Sequence, residues 1–137
     1  MKKLFQEFCD KVVALDPSIR FAGISDEDGK LEATSERKGL KALLTPEERA
    51  QYAITAATRQ YTRLRWEYIL GRILYASSHY SKITRATIPI ADENSRLSHV
   101  LLVSFDADTP NFHEIIIKKV IPLVHNNMNT FLAEAQK

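Results

Sequence analysis

Apolar patterning along the 137-residue chain predicts an α+β fold with a five-stranded antiparallel sheet. Three stretches carry helical periodicity or helix caps, whereas the runs between them are short, apolar or alternating, and bounded by turn residues. The dipeptide Asp28-Gly29 is a strong hairpin signal, because glycine adopts a positive φ without a Cβ clash. We therefore expect the order α-β-β-α-β-β-β-α in one domain covering residues 1–137.

The first helix and the hairpin that follows it are predicted from local pattern. Apolar residues recur at helical spacing from about Lys2 to Ala14, and Pro17 stops the helix. Ile19–Ile24 is short, apolar and bounded by turn residues, as in a buried strand. After the Asp28-Gly29 turn, residues 30–34 alternate between polar and apolar, which predicts a half-exposed second strand.

The second helix has the clearest start signal in the chain. Thr45 is a natural N-cap, Pro46 fits the first helical position, and Glu48 completes a capping box. We expect this helix to extend from Pro46 to about Leu70, with Gly71 as the C′ residue.

Three strands are predicted next. Arg72–Tyr80 contributes Ile73, Leu74 and Tyr75 to the first of them, and Lys82–Ile90 alternates. The stretch "SHVLLVSF" is the most apolar and so the expected central strand, covered on both faces. Because Pro89 cannot donate to a ladder, it should mark an edge strand or a strand end.

The last helix should extend to about Glu134, and Pro122 should kink it near Lys118. Two starts fit the sequence, Thr109 capping with Pro110 at N1 or Asn111 capping with Glu114 at N3.

The composition is that of an ordinary globular protein, with 45% apolar residues, 26% charged residues and a net charge of +2. The single cysteine, Cys9, excludes an internal disulfide and fits a reducing cytosol. No run approaches the roughly 18 apolar residues of a membrane span, and polar residues interrupt the amino-terminal segment where a signal peptide would be apolar. We expect a cytoplasmic protein.

The residues that could carry chemistry form no recognised motif. If Gly29 were position 6 of a calcium loop, position 1 would be Ile24, which has no side-chain oxygen, so the acidic turn is structural. Ser77–Ser81 lacks the glycines of a nucleophile elbow. None of the histidines has metal-ligand spacing to another: His79, His99, His113 and His125. We expect no catalytic residue, no metal and no cofactor.

Charge is distributed unevenly along the chain. Residues 55–91 carry a net charge of +5 with interleaved aromatic residues, whereas residues 92–114 carry −4. The basic stretch could contact phosphates, could form a protein interface rich in Trp, Tyr and Arg, or could be a solvated helix face. Opposite charges in two segments favour protein contact, since a single-sign surface would serve nucleic acid better. The nucleic-acid alternative would use Arg59, Arg63, Arg72, Lys82 and Arg85.

The element order resembles the roadblock (dynein light chain) domain, a relative of the profilin and longin folds. The stretches that carry the resemblance are "RFAGISDEDGKLEATS", "TPEERAQYAITAATRQY" and "ILYASSHYSKITRATIPIADENSRLSHVLLVSFD". The last of them is also similar to short archaeal proteins of uncharacterised activity. The roadblock resemblance implies the strand order 2-1-5-4-3, with strand 3 at the edge, and dimers that pair through that edge and helix two. Such dimers serve as regulators and scaffolds for small GTPases or motor complexes, not as catalysts.

From this resemblance we expect a non-enzymatic homodimer that acts in signalling, with a small GTPase as a candidate partner. The association surface would be built from helix two and the strand near Ile73–Tyr80. Its predicted residues are Tyr61, Leu64, Arg65, Trp66, Tyr68, Leu74 and Tyr75. The chain also resembles PAS and Cache sensor domains, which would place a small-molecule pocket at Phe21, Tyr52, Tyr75 and Leu101.

Overall fold

The computed structural model describes residues 2–135, with the side chains of residues 3–134. The chain forms one five-stranded sheet with helices on both faces, in the predicted order. In chain order the elements are α1 (Lys2–Ala14), β1 (Ile19–Asp26), β2 (Leu31–Glu36), α2 (Pro46–Leu64), α3 (Glu67–Leu70), β3 (Ala76–His79), β4 (Ile83–Ala91), β5 (Leu97–Asp106), α4 (Phe112–Ile115), a π-helical segment (Ile116–Val120), α5 (Ile121–Asn126) and α6 (Met128–Ala135).

The strand order is β2-β1-β5-β4-β3, and every neighbouring pair is antiparallel. This confirms the predicted order, with β3 at one edge and β5 in the centre. All residues of β5 from Leu97 to Phe105 are buried, as expected for a strand covered on both faces.

The two faces of the sheet are covered by different helices. On one face, α1 and the carboxyl-terminal helices bury a large apolar cluster that includes Phe8, Leu101, Phe105 and Phe131. On the other face, α2 packs its small residues against alternate positions of β5, with Leu102 among them. Because side chains alternate along a strand, neighbours in β5 belong to opposite clusters.

The β1–β2 hairpin is closed by its own polar atoms. The Asp26 carboxylate accepts hydrogen bonds from the backbone N–H groups of Asp28 and Lys30, at 2.9 and 3.0 Å. Gly29 has a φ of 87°, and a Cβ atom there would lie 2.5 Å from the Cα atom of Ile54. The glycine therefore lets α2 approach this turn closely, and Asp26 acts as a turn residue.

The predicted capping box of α2 is present, but the helix is shorter than expected. Thr45 Oγ1 accepts from the Glu48 N–H, and the Glu48 carboxylate accepts from the Thr45 N–H. The helix ends at Leu64 rather than near residue 70, and after a break at Arg65 and Trp66 the chain forms α3. The break turns the chain so that Glu67 reaches the β4–β5 turn, a contact made only in the folded protein.

The turn of the β3–β4 hairpin determines which residue pairs of the two strands exchange backbone hydrogen bonds. The Tyr80 N–H donates to the Ile83 carbonyl at 2.9 Å, so these two residues form a hydrogen-bonded pair. Such pairs recur at every second position of an antiparallel ladder, as far as Ala76 opposite Thr87.

Pro89 explains why β3 begins at Ala76. The next hydrogen-bonded pair would place Leu74 opposite Pro89, and proline has no N–H to donate. Residues 73–75 consequently lie outside the strand, which corrects the prediction that Ile73, Leu74 and Tyr75 belong to it. The prediction that Pro89 marks an edge strand or strand end is also wrong: β4 is internal, and it loses its neighbour only beyond Thr87.

The carboxyl-terminal helix is broken rather than continuous. It starts after Asn111, one of the two predicted caps, although the Asn111 side chain makes no capping hydrogen bond. The π-helical segment ends two residues before Pro122 and contains Lys118, where the irregularity was expected, because proline cannot donate back to that turn. A second break occurs at Asn127, whose side-chain amide donates to the Leu123 carbonyl at 2.8 Å.

Asp106 ties together the ends of three neighbouring segments. Its carboxylate accepts two hydrogen bonds from Arg37, at 2.9 and 3.0 Å, and one from Arg20 at 3.3 Å. Arg20 lies on β1, and Arg37 directly follows β2. The hydrogen bonds from Arg37, followed by the one from Arg20, hold the pKa of Asp106 below its usual value despite partial desolvation.

Replacing Asp106 by Asn should lower the free energy of unfolding by about 1 kcal/mol at pH 7, a value limited by solvent screening at this half-exposed site. Because the folded-state pKa is depressed, the stabilisation is present above the unfolded pKa near 3.8 and disappears as the pH falls through the folded value. Urea unfolding at neutral pH and at about pH 2 measures the difference. Asp108→Asn is the control and should change little; equal losses in the two variants at pH 7 would contradict the assignment.

Candidate interaction surface

The free edge of the sheet is the backbone of β3. Since Ala76 and Ser78 direct their backbone groups toward β4, the intervening Ser77 and His79 direct theirs away from the sheet. A strand with a row of unpaired N–H and C=O groups can accept another strand. In the described part of the chain no other strand pairs with this edge.

Three arginines lie beside this edge on the α2 face. Arg59 and Arg63, one turn apart on α2, line a small pocket with Arg85 of β4 and Ser78 of β3. The Arg85 guanidinium lies over the Tyr52 ring, 4.0 Å from its centroid. Desolvation, followed by the charge of Arg59, lowers the pKa of Arg63.

The opposite face of the edge carries aromatic residues and hydroxyls. The Tyr75 hydroxyl lies 2.5 Å from His113 Nδ1, and the His79 ring meets Phe112 edge to face at 5.4 Å. Ser77 Oγ is 3.2 Å from His79 Nε2. This serine–histidine pair has no carboxylate hydrogen-bonded to His79 in the described part of the chain, so the orienting third group of a hydrolytic triad is missing.

An exposed apolar segment, residues 66–74, lies at one end of the edge; we call it the α3 segment. Trp66 is 53% exposed, Tyr68 81% and Leu74 55%, and Ile69 and Leu70 are exposed as well. Large apolar side chains grouped on one short segment are typical of a protein contact. Gly71, with a φ of 89°, ends α3 rather than the second helix, for which it was predicted.

Glu67 fixes the α3 segment to the rest of the protein. Its nearly buried carboxylate accepts hydrogen bonds from Ser95 Oγ at 2.5 Å, the Ile73 N–H at 2.9 Å and Arg72 at 3.1 Å. Desolvation alone would raise the pKa of Glu67, but these hydrogen bonds and the charge of Arg72 lower it. The exposed apolar residues are therefore presented on an anchored loop.

Four of the predicted interface residues lie together on the surface: Arg65, Trp66, Tyr68 and Leu74. Ile69, Leu70, Ser77 and His79 belong to the same region but were not predicted. Because their exposure depends on where α2 ends and β3 begins, helical spacing alone could not reveal them.

The other three predicted residues are placed differently. Leu64 is buried in the apolar cluster under α2. Tyr75 is half-buried against Phe112 and His113. Tyr61 lies on the flank of α2 that faces the acidic β1–β2 turn, where desolvation, followed by the charges of Asp28 and its neighbours, raises the pKa of its hydroxyl.

The predicted small-molecule pocket is not formed by its four residues. Phe21 and Tyr52 lie on the α2 side of the sheet, whereas Leu101 is fully buried on the opposite side, where Tyr75 also packs. Alternation along the strands places them on two faces. The larger concavity lies elsewhere: a cleft of about 720 Å³ between the α3 segment, the uncovered end of β4 and the carboxyl-terminal helices.

The basic residues proposed for nucleic acid do not form one surface. Arg72 is bound to Glu67 and to the Asp92 carbonyl, whereas Arg59, Arg63 and Arg85 lie together under α2. Lys82 lies in the β3–β4 turn. A continuous track for a polynucleotide backbone is therefore not present among residues 2–135.

Metal ligation and thiol chemistry find no support in the described residues. No group of three or more His, Cys, Asp or Glu side chains among residues 2–135 is placed to hold a metal ion. Burial, with a smaller effect of the Asp10 charge, raises the pKa of the Cys9 thiol to about 12, so it is protonated at neutral pH. No helix in the same range is long and apolar enough to cross a lipid bilayer.

Replacing Glu67 by Gln should loosen the α3 segment, because a neutral amide cannot accept all three hydrogen bonds and leaves buried donors poorly paired. The expected loss in free energy of unfolding is about 1–3 kcal/mol. Amide hydrogen exchange at Ile73 should accelerate by a corresponding factor. Glu93→Gln, an exposed change nearby, is the control; unchanged exchange at Ile73 in Glu67→Gln would contradict the anchoring role.

Comparison with known proteins supports the fold at low sequence identity. No protein-family model matches the sequence, and no curated protein matches it. The Roadblock/LC7 domain from Streptomyces avermitilis is similar with a TM-score of 0.69 and 11% identity, covering 93% of this chain and 97% of that chain.

Two further solved structures show the same architecture. The gliding protein MglB from Thermus thermophilus gives a TM-score of 0.67 at 13% identity, covering 90% of this chain and 87% of that chain. Myxococcus xanthus MglB gives 0.65 at 14% identity, covering 95% and 91%. With the strand order and the edge strand described above, these likenesses show that the chain has a roadblock-like α+β fold.

Proposed function

We propose that this protein is a non-enzymatic regulatory domain that associates with a second copy of itself through the β3 edge. The observation that carries the proposal is the free backbone of Ser77 and His79 beside the exposed, anchored α3 segment. An edge of this kind is normally covered, because it would otherwise recruit strands nonspecifically.

A second copy satisfies the edge by symmetry. Two β3 strands related by a two-fold axis run antiparallel, so Ser77 and His79 of one copy can exchange hydrogen bonds with the other. Main-chain hydrogen bonds of this type supply affinity, and neighbouring side chains supply specificity. The resulting dimer would share one continuous sheet.

The α3 segment provides the apolar part of the proposed contact. Trp66 and Tyr68 are the residue types most often found at energetic centres of interfaces, and Arg65 accompanies them. The dimer would then offer a composite surface to another regulatory protein. Based on the roadblock-like architecture, a small GTPase is the partner class we propose, with the protein acting as a cytoplasmic regulator or scaffold.

Replacing Ser77 by Pro should abolish dimerisation while leaving the monomer folded. The Ser77 N–H points away from β4, so proline removes a donor from the free edge without removing one from the internal ladder. Analytical ultracentrifugation at micromolar concentration should show a dimer for the wild type and a monomer for the variant. A wild type that remains monomeric would overturn the proposal.

The controls use the alternation of the same strand. Ser77→Ala should remain dimeric, whereas Ser78→Pro should lower stability, since that residue donates toward β4.

The apolar contact is tested by Leu74→Ser, which should weaken the dimer. Leu43→Ser is matched to it, because Leu43 is 50% exposed and Leu74 55%, but Leu43 lies outside the α3 segment. Equal effects of the two variants on dimerisation would contradict a role of the α3 segment in the interface.

The 720 Å³ cleft favours a second candidate function, small-molecule sensing. Its size is that of a ligand pocket, and Ile73, Ile88 and Met128 give it a largely apolar lining. A metabolite that binds there should raise the melting temperature of the wild type by mass action, and less so for Met128→Trp, which narrows the cleft. If no compound in a broad metabolite set raises the melting temperature of the wild type, small-molecule sensing is rejected.

A further inference from the structure

We propose that the pocket under α2 binds a phosphate group through Arg59, Arg63 and Arg85. We call it the arginine pocket; Ser78 and Thr87 also line it. The ligand class is inorganic phosphate or the phosphate group of a small ester. The pocket lies within one copy of the chain, so the inference does not rest on self-association.

The arginine pocket contains donors and no acidic partner. Each of four other arginines makes an ion pair with a carboxylate: Arg20, Arg37, Arg49 and Arg72. Among residues 3–134, Arg59, Arg63 and Arg85 make no ion pair. Neither do Arg65 and Arg96, so what distinguishes the pocket is that three unpaired arginines line it together. Holding three like charges together is unfavourable unless an anion offsets them, and burial, followed by the charge of Arg59, lowers the pKa of Arg63.

The hydroxyl groups add to the donor set. Thr87 Oγ1 already accepts a hydrogen bond from Gln60 Nε2 at 2.8 Å, so its own hydrogen is left to donate to another acceptor. Ser78 makes no side-chain hydrogen bond within the described residues and can donate as well. A pocket lined by guanidinium and hydroxyl donors is complementary to an oxyanion.

Two of the three arginines are restrained before any ligand arrives. The Tyr52 ring supports the Arg85 guanidinium at 4.0 Å, which limits its rotamers. Arg63 is half-buried, whereas Arg59, one helical turn before it on the same flank of α2, is exposed. The two restrained side chains lose less conformational entropy on binding than mobile ones would.

The charge and shape favour phosphate over a carboxylate or a polynucleotide. Three guanidinium groups can engage several oxygens of one phosphate dianion. A carboxylate has only two oxygens, and a single guanidinium group can bind both of them. The enclosed part of the pocket is about 10 Å³, room for one oxygen, so the rest of the group would sit at the mouth. The isolated cluster, without a continuing basic track, favours a single group over a chain of phosphates.

Isothermal titration with inorganic phosphate, and separately with glycerol phosphate, tests the proposal at constant ionic strength. We expect saturable binding to the wild type. Binding to Arg63→Gln should be about tenfold weaker, because the variant loses one guanidinium group. Arg96→Gln is the matched control, because Arg96 is exposed, does not line the arginine pocket and lies outside the proposed dimer contact. Unfolding curves of each variant verify that the fold is retained.

The outcomes separate this proposal from the proposed dimer. The Ser77→Pro monomer should bind phosphate as the wild type does. Absence of saturable binding to the wild type would overturn the proposal, as would equal weakening by Arg63→Gln and Arg96→Gln. Tight binding of a single-stranded oligonucleotide without binding of either small phosphate would overturn it in favour of nucleic-acid contact. The dimer proposal would stand in each of these cases.

Discussion

The absence of an N–H on Pro89 shapes the surface on which the functional proposals depend. Because Leu74 cannot complete a hydrogen-bonded pair opposite Pro89, β3 is limited to Ala76–His79. The chain before it leaves the sheet as the α3 segment, and the last residues of β4 form the floor of the cleft. One missing donor thus produces a short free edge, an exposed apolar loop and a concavity side by side.

Charge pairing separates the four arginines that make ion pairs from the three that line the arginine pocket, whereas Arg65 and Arg96 belong to neither group. Asp106 pairs with two arginines and holds the strand ends in place, and Glu67 pairs with Arg72 and holds the α3 segment in place. The arginine pocket has no such carboxylate among the described residues, although it lies beside the same edge. Stability therefore explains the first group, whereas the second group calls for a ligand or partner, since surface charge without a counter-ion adds little to folding.

Local signals predicted the elements well where neighbouring residues alone decide the conformation. The capping box at Thr45, the Asp28-Gly29 turn and the irregularity before Pro122 were all read from adjacent residues. The errors came where a distant contact decided the outcome. The end of α2 depends on Glu67 reaching Ser95, 28 positions along the chain, and the start of β3 depends on a proline across the hairpin.

The sequence by itself determined the α+β class, the element order and the central place of β5, because periodicity and turn chemistry are local properties of the chain. The tertiary structure alone decided which side chains share a face: it separated Phe21 from Leu101, buried Leu64 and gathered Arg59, Arg63 and Arg85. The physical reason is that register and packing bring distant residues together, and a one-residue change in register reverses the face that each side chain occupies.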